Sequence, residues 1–146
     1  WIMKSLPVSK REFIGGKMLF NLYLSAPFAI LGNLILSLSA GASPAEITLC
    51  VACGIIQCIY ATNYGMFAGL LLPKFDWKSD IEVIKQGSSV TLYILPNMFL
   101  TMGLGVLAVI VGLKTAPLIA VLLTTLLYAV LAFLFYIGVL SKTKKF

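Results

Sequence analysis

The chain has 146 residues, of which 60% are hydrophobic and only 11% are charged, and its mean hydropathy is +1.03. A soluble domain carries about 25% charged residues, so this composition excludes a fold whose whole surface faces water. The net charge of +6 does not indicate a nucleic-acid partner, because the basic residues flank segments long enough to cross a bilayer.

The first segment, residues 1–17, predicts a new helix that starts on the cytoplasmic side of the membrane. Ser9 is a suitable N-cap, and Glu12 three residues later completes a capping box. Gly15 and Gly16 allow this helix to bend into the first span. On these residues alone, the segment is either an interfacial anchor or a docking element for a cytoplasmic partner.

Four apolar runs then follow, and each is long enough for a membrane-spanning helix. At 1.5 Å per residue, more than 20 residues cross a hydrocarbon core of about 30 Å. The predicted fold class is therefore an all-α integral membrane protein, a bundle of four transmembrane helices with short cytoplasmic interfacial helices. The transmembrane domain covers residues 18–140, and its predicted spans are residues 18–40, 45–72, 89–112 and 118–140.

The links between the runs carry their own signals. Ser43 and Glu46 form a second capping box, with Pro44 at the first helical position, and predict the start of the second span. The cytoplasmic loop 74–88 contains a third such signature and predicts a short surface helix over residues 80–86. The link around Lys114 is short, so we expect spans three and four to form an antiparallel hairpin.

The basic residues fall on one side of such a four-span bundle. One cluster precedes the first span, a second lies in the loop 74–88, and a third forms the tail 141–146, whereas only Lys114 lies on the other side. Basic residues in short loops mark the cytoplasmic face. We therefore expect a multi-pass protein of the plasma membrane with both ends in the cytoplasm.

Two stretches resemble a known family. LPVSKREFIGGK at residues 6–17, directly before an apolar span, resembles the permeases of type-2 ABC transporters. The pattern there is Leu-Pro, a small hydroxylated residue, basic residues, an apolar pair and Gly-Lys where the chain reaches the membrane. LLPKFDWKSDIEVIKQGSSV at residues 71–90 resembles the corresponding loop of a Gram-positive branch of these permeases. Together the two stretches cover about a quarter of the chain.

The resemblance implies the permease part of a bacterial ABC exporter. A permease half of this family has six spans, and the four spans here match the last four, so at least two more are expected upstream. The implied partners are an ABC ATP-binding subunit, a second permease half or copy, and the lipid bilayer. The short link around Lys114 departs from the family plan, in which helical re-entrant pieces often precede the last span.

The resemblance also assigns a coupling segment, Ser9 to Ile14, which docks on the ATP-binding subunit and transmits its motion to the spans. The loop helix over residues 80–86 is expected to assist it. The residues predicted to make docking contacts are Ser9, Lys10, Arg11, Glu12, Phe13, Asp80 and Glu82.

Polar and small residues within the spans allow more than one interpretation. The polar ones either form hydrogen bonds between helices or line a substrate path; they are Asn33, Gln57, Asn63 and Asn97. The small residues Ala61, Gly65 and Gly69 recur every four positions and predict close helix packing, within the subunit rather than between two permease halves.

No charged residue lies in mid-span, which argues against an ion-coupled carrier. The alternative function is a multi-span membrane protein outside the ABC class, either a scaffold or part of a secondary transporter.

The sequence contains no recognisable signature of a catalytic site. It contains no histidine, which excludes a Ser–His pair and a His-ligated metal site. Cys50 and Cys53 are interpreted as packing residues, because thiols in apolar surroundings stay protonated. The sequence GGK at 15–17 is not a phosphate loop, since Arg11 replaces the first glycine of that motif and Met18 replaces its Ser or Thr. We predict no catalytic residue, no metal and no cofactor, and place ATP hydrolysis in a partner.

Overall fold

The structure, a computed structural model, describes residues 9–72 and 88–145. Within these ranges it contains four helices and no strand, and each helix is long and apolar enough to cross a membrane. The predicted all-α membrane bundle of four helices is therefore confirmed. The helices are α1 (Lys10–Ser39), α2 (Pro44–Leu71), α3 (Ser88–Lys114) and α4 (Pro117–Lys145).

Capping boxes start α1 and α2 where the sequence predicts them. The Glu12 N–H donates to Ser9 Oγ at 3.3 Å, and the Ser9 N–H donates to the Glu12 carboxylate at 2.8 Å. The equivalent two bonds join Ser43 and Glu46. Because the first N–H groups of a helix have no intrahelical partner, these reciprocal bonds fix where each helix begins. The predicted loop helix over residues 80–86 lies outside the described residues.

Helix α1 runs without interruption through Gly15, Gly16 and Pro27. The segment predicted to couple and the first predicted span are thus parts of a single helix of 30 residues. Such a helix is about 45 Å long, which exceeds a hydrocarbon core of about 30 Å. Helix α1 is therefore longer than the apolar layer is thick, and its charged residues Arg11, Glu12 and Lys17 lie in its first turns.

Helix α4 also extends further than its predicted span, which ends at Leu140, and continues to Lys145. The buried Thr143 hydroxyl donates to the Val139 carbonyl at 2.7 Å within this extension. A basic last turn is favoured by the partial negative charge at a helix C-terminus. Most of the basic tail is therefore a helical continuation of the fourth span.

Helix α2 occupies the centre of the bundle. It packs most extensively against α4, and also against α1 and α3, while α3 packs against α4. The α1–α2 and α3–α4 pairs are antiparallel hairpins, and α2 and α4 run parallel, with Tyr60 beside Tyr128 and Phe67 beside Gly138. The starts of α1 and α3 and the ends of α2 and α4 therefore share one end of the bundle, here called the basic end because Lys17 and Lys142 lie there.

The outer helices expose apolar side chains along their length. Tyr23 of α1 is 84% exposed and Phe28 is 73% exposed, and Phe99 and Met102 of α3 are similarly open. In a membrane such surfaces face lipid, which is as apolar as the side chains themselves. The lipid therefore covers α1 and α3 on their outer sides, and α2 and α4 supply the core.

Candidate functional site

The centre of the bundle is filled by aromatic rings from α2 and α4. Tyr60 is only 2% exposed; its ring lies parallel to that of Tyr64 at 6.0 Å and is tilted against Tyr128 at 5.5 Å. Phe135 closes the cluster, with its centroid 4.7 Å from that of Tyr64. Aromatic rings at these separations attract each other beyond simple burial. The described helices therefore meet at a packed aromatic core, which we call the tyrosine cluster: Tyr60, Tyr64, Tyr128 and Phe135.

A proline in α3 connects that helix to the tyrosine cluster. Pro96 has no N–H, so the carbonyl of Leu92 one turn earlier loses its usual helical donor. The Tyr64 hydroxyl donates to this carbonyl at 2.6 Å. The Tyr93 ring packs beside it, 5.7 Å from the Tyr64 ring. The Leu92 carbonyl, which has no donor within α3, is thus satisfied by a side chain of α2. In the apolar part of a membrane such a carbonyl needs a partner within the protein.

The polar residues predicted to pack or to line a path differ in their partners. Asn63, 4% exposed, donates from its side-chain nitrogen to the Ala132 carbonyl at 2.9 Å and joins α2 to α4. Asn33 donates to the Ala29 carbonyl of its own helix at 2.8 Å and packs on Gly54. Gln57 is half-buried in α2. Asn97 of α3 is half-buried, and its side-chain oxygen has no hydrogen-bond partner among the described residues.

Asn33 and Asn63 are not brought together. Asn33 lies in the α1–α2 contact, whereas Asn63 lies in the α2–α4 contact on another side of α2. Asn63 therefore behaves as an interhelical hydrogen-bonding residue, and Asn33 as one that bonds locally. Asn33 and Asn63 therefore do not lie on a common surface, and the role of Gln57 and Asn97 stays a prediction.

A groove opens instead on the side of the bundle, between α1 and α3, and we call it the lateral groove. Its floor is α2, and its volume is about 670 Å³. It lies in the half of the bundle nearest the basic end, because it involves the first half of α1, the last turns of α2 and the first turns of α3. Its α1 and α3 walls are Asn21, Leu24, Ser25, Ser89, Val90, Tyr93 and Ile94, and its α2 floor is Cys58, Ala61, Thr62, Gly65 and Gly69.

The three small residues singled out from the sequence all line this groove. The Tyr93 ring covers Gly65, since a Cβ at Gly65 meets that ring at 3.4 Å. Gly69 is exposed, and a Cβ there meets nothing within 4 Å. The stripe of small residues is therefore in part an internal contact with α3 and in part an open surface.

A second cavity, of about 530 Å³, lies further toward the start of α1. Glu12, Phe13, Lys17 and Asn21 contribute to its wall, and Met66 of α2 faces them. Lys17 Nζ lies 4.7 Å from the centroid of the Phe13 ring, which is a cation–π distance. This cavity adjoins the lateral groove, because Asn21 lines both.

The residues predicted to dock a partner divide into two groups. Arg11 and Glu12 are exposed in the first turn of α1 and Phe13 is half-buried, with Ser9 acting as the N-cap. Lys10 is the first residue of the helix. Asp80 and Glu82 lie outside the described residues.

Cys50, Cys53 and Cys58 are free, half-buried thiols of α2. In residues 9–72 and 88–145, no three potential ligands among His, Cys, Asp and Glu come together as a metal site. The features that sequence reasoning missed are the tyrosine cluster and the lateral groove. One local signal pointed toward the first, because Pro96 predicts an unpaired Leu92 carbonyl that a neighbouring helix has to satisfy.

Comparisons of the chain with models of protein families, with curated proteins and with solved structures give no match.

Proposed function

We propose that this chain is part of the permease of a bacterial ABC exporter. In this proposal it spans the plasma membrane with both ends in the cytoplasm, and a separate subunit binds and hydrolyses ATP. The resemblance of residues 6–17 and 71–90 to type-2 permeases supports it. The observation that carries it is the capped start of α1, which is continuous with a membrane helix.

Continuity of α1 makes it suited to transmit motion. A displacement applied at Arg11 to Phe13 is carried into the bilayer by a hydrogen-bonded helix, with no loop to absorb it. Helix α1 packs mainly against α2, and the lateral groove separates its first half from α3. Closure of two ATP-binding subunits therefore moves α1 relative to α3 and alters the width of the groove.

The docking role is tested by replacing Lys10, Arg11 and Glu12 together with glutamine. Gln at the third helical position still supports a capping box, so the variant removes charge and keeps the helix start. We expect the ATP-binding subunit to be lost when the tagged chain is purified from its native membrane, and ATPase stimulation to be lost with it. Lys114→Gln, at the opposite end of the bundle, is the matched control and is expected to retain both.

Two results contradict the proposal at different levels. If the triple variant retains the subunit and its stimulation, the docking residues are wrong although the exporter assignment survives. If no protein with a phosphate loop co-purifies with the unchanged chain, the exporter assignment itself fails. The chain is then a multi-span scaffold or part of a secondary transporter.

A further inference from the structure

The lateral groove and the second cavity form one continuous depression along α1. Asn21 lines both, so the depression runs from Lys17 near the basic end to Leu24 deeper in the bundle. It opens sideways, between two helices whose outer faces expose large apolar side chains. An occupant can therefore enter it directly from the bilayer.

The deep part of the depression is apolar with a few hydrogen-bonding groups. Leu24 and Ile94 form its apolar walls, whereas Val90 and the open floor at Gly69 lie nearer the basic end. Thr62 is 7% exposed and lines the groove, and its hydroxyl has no hydrogen bond to another described residue. The groove therefore offers an apolar slot with a polar group on its floor.

The outer part carries a positive charge that the described residues do not neutralise. Lys17 is exposed and rests on the Phe13 ring. The nearby Glu12 carboxylate accepts a hydrogen bond from the Ser9 N–H, and no carboxylate in the described part of the chain forms an ion pair with Lys17. Arg11, six residues earlier in α1, is a second exposed cation.

The shape of the groove disfavours a helix as its occupant. A helix with its side chains is about 10 Å across and has to lie along the small-residue stripe to pack closely. The Tyr93 ring blocks that stripe at Gly65. An acyl chain is thin and flexible and passes beside the ring.

We propose that the depression binds one phospholipid with an anionic headgroup. Its phosphate binds at Lys17, its glycerol group lies over Gly69, its ester oxygens accept hydrogen bonds from Asn21 and Thr62, and one acyl chain continues deeper between α1 and α3, along Leu24, Ile94 and Cys58. Anionic headgroups are attracted to basic residues at the membrane surface, so the charge at Lys17 selects the headgroup and the apolar slot holds the chain. The inference does not rest on the proposed export function and needs no ATP-binding subunit.

Native mass spectrometry of the detergent-purified protein tests it, with phosphatidylglycerol and phosphatidylcholine as probes. We expect one retained phosphatidylglycerol per chain and weaker retention of phosphatidylcholine. Lys17→Gln is expected to lower phosphatidylglycerol retention about fivefold, the effect of one basic residue near a membrane surface. Gly69→Leu places a side chain in the groove and is expected to lower the retention of both lipids.

Matched controls exist at the other end and on the other side of the bundle. Lys114→Gln removes a charge from the opposite end, and Gly103→Leu adds a side chain at an exposed glycine of α3 with no neighbour within 4 Å. Both are expected to retain lipid like the unchanged protein. Equal loss in these controls, or unchanged retention in Lys17→Gln, overturns the proposal.

The same spectra report the oligomeric state. If Gly69→Leu dissolves a dimer and leaves lipid retention unchanged, the groove holds a helix of a second copy, which also overturns the proposal. Lys17→Gln lies on an exposed position and is expected to fold, so the headgroup claim is decided even if Gly69→Leu is unstable.

Discussion

At the residue scale, Tyr64 and Pro96 form a complementary pair on two helices. Pro96 leaves the Leu92 carbonyl without a donor, and Tyr64 supplies one at 2.6 Å. A free carbonyl in a bilayer has no water to bind, so this contact both satisfies the backbone and sets the position of α3 against α2. A proline within a span is thus a source of a specific interhelical bond.

This pairing predicts a coupled loss of stability. Tyr64→Phe is expected to lower the free energy of unfolding by about 1–2 kcal/mol, as measured by reversible unfolding in mixed micelles. In the Pro96→Ala background the same change is expected to cost close to nothing, because the new backbone N–H bonds the Leu92 carbonyl. Tyr23→Phe, on the exposed face of α1, is the control. If Tyr64→Phe lowers the free energy of unfolding equally in both backgrounds, the proposed role of the Tyr64 hydroxyl as the donor that replaces the missing Pro96 N–H is wrong.

Asn33 and Asn63 are the same residue type in similar apolar helices, but their hydrogen bonds differ in range. Both are asparagines within apolar helices, and the sequence left open whether each packs or lines a path. Asn33 bonds the carbonyl four residues before it, whereas Asn63 reaches a carbonyl 69 residues away. Only the partner helix distinguishes them, so their roles could not be read from the chain.

At the element scale, the contact between α2 and α4 organises the bundle. The two helices are parallel and are separated along the chain by α3. Gly138 permits the close approach of the two helices, because the Phe67 ring occupies the space that a Cβ at position 138 would need. Phe67 in turn packs on Phe135, with ring centroids 5.5 Å apart.

This close approach predicts that Gly138→Ala destabilises the protein. A Cβ at this position lies 2.9 Å from the Phe67 ring, and overpacking of this kind costs about 1–3 kcal/mol. Gly103→Ala is the control, because a Cβ there meets nothing and alanine has the higher helix propensity. Unfolding midpoints in detergent measure both. Similar midpoints for the two variants contradict the packing, and Phe67→Leu is expected to rescue Gly138→Ala.

At the scale of the whole molecule, the charge layout predicts the orientation in the membrane. Lys17 and Lys142 share the basic end of the bundle, and Lys114 lies at the other end. Because basic residues are retained on the cytoplasmic side, the link at Lys114 is expected to face outward.

Cysteine labelling in intact cells tests this orientation, in a background in which Cys50, Cys53 and Cys58 are replaced by serine. Lys114→Cys is expected to react with a membrane-impermeant maleimide added outside. Lys17→Cys and Lys142→Cys are expected to react only after permeabilisation. Labelling of Lys114→Cys and Lys142→Cys from the same side contradicts both the orientation and the arrangement of the four spans.

The sequence by itself determined the all-α membrane class, the four long apolar helices of the described residues and the starts of α1 and α2. These are local properties, since hydropathy depends on composition and a capping box joins residues only three positions apart. The tertiary structure alone decided that α2 pairs with α4, that tyrosines fill the centre, and that a groove lies open between α1 and α3. The physical reason is that lipid and a neighbouring helix are equally apolar. Hydrophobicity therefore cannot indicate which face of a span packs, and shape complementarity between residues far apart in the chain decides it.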